Sequence, residues 1–460
     1  MIRDLFAGSL VSVCFLYDSI QVMNLKEYLG VFENIFWLSA DKLSKILIGV
    51  TVVVAVARYM EPSGFGVFSY AQAIVAIFLL VSTLGFDTVV VRDLIKYRKS
   101  EGEILGSALF IRFCASVVIY LTLCLFIYNF RSESDLLLWS VLILGINVIG
   151  QPFKVFSYWF EARLKLKYVV WITNTNLIVF SALKIFVIYL DFGFYLIVWL
   201  TMLELLLSNL FIYLAYIYIS KDTISLSIKT NRIKELLRDS WPLIISSAVW
   251  VLYTRVDQLM VGRVLGEEAV GIYSAAVKIS DIVSYLPSVI VVSLIPKILP
   301  YKKSNPQGYE EMFQGLYNLV LSLLIPIALF LSLFSEVIIK AIFGEIYLQS
   351  ADVLRVNAWM SIFFGMAVIS GRYLLNENKQ RLSMIRHIFG LVVNVVLNYF
   401  LIKLYGMIGA AYASLISLFL ANYIFDVFFK DTRKVFKQKT IALTFIWVFS
   451  LFKSRGEYGS

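Results

Sequence analysis

The chain has 460 residues, of which 60% are hydrophobic and only 16% charged, with a mean hydropathy of +0.82; a soluble domain carries about 25% charged residues. This composition excludes a soluble fold, and at about 20 residues per crossing the apolar stock suffices for roughly a dozen helices, with no room for a soluble catalytic domain. The net charge of +10 does not indicate nucleic acid, because the basic residues fall in short clusters between apolar runs, as membrane topology requires.

Residues 5–17 (LFAGSLVSVCFLY) resemble a signal-peptide core or a short anchor but are too few to span a bilayer. Either residues 1–22 are a signal-like extension, or they arise from an upstream start and Met23 is the true first residue. The second reading is preferred, because the sequence from Met23 reads as a short tail running into a first helix. Beyond it, apolar runs punctuated by Gly, Pro and charge clusters predict an all-α polytopic membrane protein with about twelve transmembrane helices in two pseudo-symmetric six-helix lobes. The first six are expected at 36–57, 65–86, 105–128, 136–158, 168–190 and 194–218. The second six are expected at 241–261, 272–295, 313–335, 352–374, 384–404 and 408–429. The lobes are then 23–218 and 240–430, joined by a basic linker at 219–239 and followed by a basic tail at 431–460. In that tail, 441–452 is too short for a full span and reads as interfacial, or as the remnant of a thirteenth helix.

Loop charges set the orientation. Even-numbered connections carry clusters such as Arg92, Lys96, Arg98 and Lys99, or Arg372, Lys379, Arg381 and Arg386, whereas the odd ones carry little more than Arg58, Arg131, Arg263, Lys340 and Lys403. By the positive-inside bias both termini are cytoplasmic. Residues 58–71 (RYMEPSGFGVFSYA) lie over 263–276 (RVLGEEAVGIYSAA) at one constant offset, aligning Arg58 with Arg263, Gly66 with Gly271, Ser69 with Ser274 and Ala71 with Ala276. Duplicated halves of the same polarity imply a pseudo-twofold axis along the membrane normal and a site between the lobes.

Three stretches resemble a known family, the bacterial polysaccharide flippases of the multidrug/oligosaccharidyl-lipid/polysaccharide exporter superfamily, in its O-antigen branch. They are 57–94, with a loop similar to the family's "LGPEGFG" although Met60-Glu61 replaces Leu-Gly; 151–168 (QPFKVFSYWFEARLKLKY), similar to the aromatic-rich fourth helix; and 394–417, similar to the asparagine-rich eleventh helix with its "GxxGAA" entry to the twelfth. The resemblance implies a bacterial inner-membrane protein that moves an undecaprenyl-diphosphate-linked oligosaccharide from the cytoplasmic to the periplasmic leaflet. Membrane lipids, a polysaccharide polymerase and a chain-length regulator are the partners it implies.

An ionisable side chain inside a bilayer costs several kcal/mol unless it meets a partner or a hydrated cavity, so each is a functional candidate. Asp41 and Lys45 share a face near the end of the first helix, where an interfacial ion pair competes with a lumen role. Arg112, Lys154 and Lys184 lie deep in helices three to five, the latter two with no acid within a turn, and Glu204 is the one acid at that depth in the first lobe. Glu204 is therefore either their structural counter-ion or a protonatable coupling group. In the second lobe Arg255 and Asp257 point to different faces of helix seven, and Lys278 and Asp281 are spaced to pair on helix eight. The expected lumen is cationic, with Lys45, Arg112, Lys154, Lys184, Arg255 and Lys278 meeting the diphosphate. Asp41, Glu204, Asp257 and Asp281 are the coupling or counter-ion candidates. Tyr158, Trp159, Trp171, Trp250 and Tyr253 can stack on sugar or anchor at the lipid interface, and Asn394 and Asn398 read as helix-to-helix hydrogen-bonding residues.

Cys14, Cys114 and Cys124 lie without paired spacing, and His387 is the single histidine. No disulfide framework, metal centre or cofactor is expected, and no nucleotide-binding motif is present. Ion-gradient coupling remains by elimination. Competing readings are a multidrug-cation antiporter, whose cavity should be net acidic, and a peptidoglycan-precursor flippase, which usually carries more than twelve helices. An integral-membrane glycosyltransferase or polymerase would need a larger extramembrane loop than any here.

Overall fold

The computed structural model describes residues 25–129, 134–220 and 226–444, with side chains from residue 48 onward except at 242, 243, 245 and 246. Among the described residues all regular structure is helical. The first 22 residues, and the apolar stretch 441–452 beyond its first four residues, lie outside that description, as do the side chains of Asp41 and Lys45.

Nine described stretches are long and apolar enough to cross a membrane. Two of them are broken within a continuous helical run by one residue of positive φ. Glu61 (φ 57°, ψ 173°) separates α1 (25–60) from α2 (62–83). Gly406 (φ 62°, ψ −140°) separates α11 (380–405) from α12, which runs from 407 to 428. At Gly406 the absence of a Cβ is what permits the turn, and the chain folds back so that Asn394 reaches Ser414 at 3.0 Å. The other spans are α3 (Glu101–Asn129), α4 (Asp135–Ala162), α5 (Leu166–Tyr189), α6 (Phe194–Ser220), α8 (Glu267–Ile298), α9 (Pro306–Leu333) and α10 (Ser350–Asn376). The set of twelve is completed by α7 (Thr230–Leu265), the most polar of them at its start. Residues 230–239, expected as linker, are the first turns of α7 and continue without a break into its apolar part. In α4 the helix tightens to a 3-10 turn over Gln151–Lys154, where Pro152 has no N–H to give the preceding turn.

Connections gather at two ends, as the loop charges require. At the basic end Arg92 pairs with Asp239 at 2.6 Å and Arg232 with Asp93 at 3.3 Å, and the Arg92 hydrogen bond holds the Asp239 carboxyl below its ordinary range. A further helix, α13 (Arg433–Leu443), closes this end of the second lobe. Its fully buried Lys439 donates to the Asn422 carbonyl and the Asp426 carboxylate, both at 2.6 Å. That carbonyl lies in a π-turn (Leu420–Ile424) of α12, where the widened ladder leaves it free to accept. Burial pulls the Lys439 ammonium down to about 8 despite the Asp426 charge.

At the far end the internal repeat has a structural meaning. A Cβ on Gly66 would lie 1.8 Å from the carbonyl oxygen of Glu267, and one on Gly271 would lie 1.9 Å from that of Pro62. Each aligned glycine thus touches the carbonyl four residues before its counterpart, so α2 and α8 cross backbone against backbone about a local twofold axis. Around this crossing Arg58 donates to the Ile342 and Ala341 carbonyls at 2.8 and 2.7 Å, and Tyr347 to Ala57 O at 2.7 Å.

Candidate functional site: a cavity between the lobes

Between the crossing and the basic end lies a cavity of about 530 Å³. The first lobe contributes Leu79, Leu80 and Thr83 from α2 and Gln151 from α4; the second contributes residues 250–258 of α7 and the middle of α8, α10 and α12. A second cavity of about 350 Å³ lies beside it, walled by Gly49, Val50, Val53 and Val54 of α1 and by Lys278, Ile279 and Ile282 of α8. Arg255, Asp281 and Tyr285 line both. They form the partition between the two spaces.

The charges at this partition are not joined in ion pairs. Arg255, Lys278 and Asp281 lie within each other's field, and Asp257 lines the larger cavity with Arg255 and Asp281. Lys278 and Asp281, spaced for a local salt bridge, make no direct ion pair, and the Arg255 guanidinium has only a 3.4 Å contact to Gln258 Oε1. The nearby Asp257 does not neutralise them. Two residues along a helix turn a side chain to the opposite face, and Asp257 points into the second lobe. There Asn398 Nδ2 donates to it at 2.7 Å, Tyr273 OH at 3.2 Å, and the Ser414 hydroxyl closes the ring. Asn394 and Asn398 on α11 are joined at 3.1 Å and orient the cage. The carboxylate is thus served by neutral donors from α8, α11 and α12.

In the first lobe the deep charges are used internally. Lys184 on α5 and Glu204 on α6 pair at 2.6 Å, away from the cavity lining. Glu204 is thus the counter-ion of Lys184 and not of Lys154. The pairing crosses from one helix to the next, which spacing along a single helix does not reveal. Arg112 is fully buried and donates to Tyr158 OH at 3.1 Å, and that hydroxyl in turn donates to Asp87. Lys154, half-buried, stands one turn beyond Gln151 toward the basic end. Of the ten charged candidates, the structure brings together Arg255, Asp257, Lys278 and Asp281. Lys45 and Asp41 fall outside the described side chains.

The aromatic candidates divide in the same way. Tyr158 and Trp159 belong to the buried first-lobe network, where Trp159 Nε1 donates to Glu101 at 3.1 Å, and Trp171 is exposed on the outer surface. Trp250 and Tyr253 line the cavity. Residues not singled out in the sequence include Tyr273 and Ser414, whose hydroxyls complete the Asp257 cage; Tyr273 lies inside the repeat, the one signal that could have drawn attention to it.

A polytopic all-helical protein with a polar cavity between two lobes, closed at one end by symmetry-related glycines, is a membrane transporter in architecture. Residues 31–302 match the family model described as "Polysaccharide biosynthesis protein", and the chain belongs to that family. Residues 242–400 also match the MatE model. Among relatives, the chain is 24% identical to "Probable low-salt glycan biosynthesis flippase Agl15" of Haloferax volcanii over 78% of this chain and 75% of that protein. It is 22% identical to "Capsular polysaccharide biosynthesis protein CapF" of Staphylococcus aureus over 86% and 99%. Among solved structures, "Lipid II flippase MurJ, inward closed conformation" superposes with a TM-score of 0.70 at 15% identity, covering 90% of this chain and 92% of that one.

Proposed function

We propose that this chain is a flippase that carries a glycan linked through diphosphate to a polyprenyl lipid across the bacterial inner membrane, from the cytoplasmic to the periplasmic leaflet. Support comes from the family membership, from relatives named as a glycan flippase and a capsular polysaccharide protein, and from the cavity itself. The observation that carries the reading is the partition at Arg255, where Arg255 and Lys278 stand without a direct ion pair between two cavities. A diphosphate head is met by guanidinium and ammonium groups, with polar glycan on one side and hydrocarbon on the other. The basic end faces the cytoplasm by the positive-inside bias, so the glycine crossing closes the periplasmic side. Transport proceeds by rocking of the lobes with no bond made or broken in the substrate, and Asp257 binds the driving cation.

A multidrug-cation antiporter is the second reading, favoured by the MatE match. Arg255 on the cavity wall repels a cationic drug, whereas Asp257 and Asp281 on the same wall attract one.

The test is translocation of undecaprenyl-diphosphate-linked sugar in proteoliposomes. Arg255→Ala should lower the rate at least about tenfold, the worth of one or two charge-assisted hydrogen bonds, with Lys278→Ala smaller. Unchanged transport in both variants at equal protein in the membrane would remove the reading.

A further inference from the structure

The polar cavity contains a group of residues that neither the diphosphate nor the driving cation uses. Trp250 of α7 and Phe364 of α10 both line it, with ring centroids 5.6 Å apart at 46°. Behind Trp250, His387 of α11, the single histidine, sets its ring at 5.4 Å and 80° against the indole. The indole is therefore braced from two sides, by an edge and by a tilted ring, and fixed in orientation. Five residues of helix separate Trp250 from Arg255, which puts the aromatic pair about 7.5 Å nearer the basic end.

Two amide side chains line the same cavity, Gln151 from the first lobe and Asn357 from the second. A polar ligand that meets both touches both lobes, and amide groups at a cavity wall suit a ligand rich in O–H groups.

Rigid aromatic faces beside amide side chains suit one chemical class: a pyranose presents C–H groups of partial positive charge to the electron-rich ring face, and hydroxyls at its rim. We infer that Trp250 and Phe364, with Gln151 and Asn357, form a subsite for the sugar joined to the diphosphate, so that the substrate enters with its glycan on the basic side of Arg255. This inference rests on the flippase reading and adds the specificity-determining residues to it.

The experiment compares two probes on the purified full-length chain, undecaprenyl diphosphate and undecaprenyl diphosphate bearing one N-acetylglucosamine, by equilibrium binding in detergent. The wild-type chain should prefer the sugar-bearing lipid about tenfold. Trp250→Leu and Gln151→Leu should each reduce that preference severalfold while leaving affinity for the bare diphosphate lipid unchanged, and Trp250→Phe should retain most of it. Arg255→Ala should weaken both lipids alike. Equal wild-type affinity for the two probes, or a preference untouched by Trp250→Leu and Gln151→Leu, overturns the subsite and leaves the flippase reading standing. A wild-type chain that binds neither lipid overturns the flippase reading and the subsite with it.

Discussion

The two lobes share a fold and differ in how they use the lysines near the middle of their spans, Lys184 and Lys278. In the first lobe Lys184 is held by Glu204, while the buried Arg112 has one bond, to Tyr158, and leaves Nε and Nη2 without a partner. In the second, Arg255 and Lys278 stand at the cavity partition without a carboxylate in contact, and the acid that might have satisfied Arg255, Asp257, is turned into a cage of neutral donors. A buried pair contributes to the lobe that contains it and has nothing left for a ligand. An unpaired cation at a cavity wall is costly to the empty protein, and a bound anion relieves that cost. Depth in the membrane therefore does not identify a binding residue, whereas the absence of a partner does.

This contrast can be broken at several points, beginning where the effect is largest. The Arg255→Ala and Lys278→Ala losses described above fall on the second-lobe wall. Asp257→Asn should come next: it keeps the shape and most hydrogen bonds of the cage but removes its charge, so transport should lose its response to an imposed ion gradient. A rate that still follows the gradient in this variant would move the coupling site elsewhere. Gly66→Leu or Gly271→Leu should force the backbones apart at the crossing, since even a Cβ would fall within 2 Å of the opposing carbonyl. In a chain otherwise free of cysteine, a thiol placed at the buried Ala71 should then label from the periplasmic side more readily than with both glycines present; equal labelling would show that the crossing is not the closure. The smallest effect on transport belongs to the first-lobe pair. Lys184→Met alone should destabilise the protein by roughly 3–5 kcal/mol by stranding Glu204, while the double change Lys184→Met, Glu204→Leu should restore most of that stability. Thermal unfolding of the single and double variants in detergent distinguishes these outcomes.

Much of this was legible from the chain alone. The twelve helices followed from apolar runs, and the two ends from loop charges. The aligned pair Gly66 and Gly271 turned out to be the point where the repeats touch. Legibility ended where partners come from different helices. Lys184 looked unpaired because its acid is on α6, and Asp257 showed no sign of its cage because Tyr273, Asn398 and Ser414 lie on three other spans. The Asn394 and Asn398 pair was readable as helix-to-helix hydrogen bonding, and so it proves, but its object, a carboxylate on α7, was not. Residues 230–239 read as linker because their charge outweighs their helix-forming character; Arg232 and Asp239 tie them to Asp93 and Arg92 on the first-lobe helix Phe86–Lys96.

The central claim, that the second lobe's unpaired cations handle the substrate while the first lobe's paired charges hold the fold, rests on one direct comparison. Translocation of undecaprenyl-diphosphate-linked sugar should be measured side by side for Arg255→Ala and for the double variant Lys184→Met, Glu204→Leu, at matched protein in the membrane. The account predicts at least about a tenfold loss for the first and a rate near wild type for the second. Near-wild-type transport in Arg255→Ala together with loss in the double variant would contradict it.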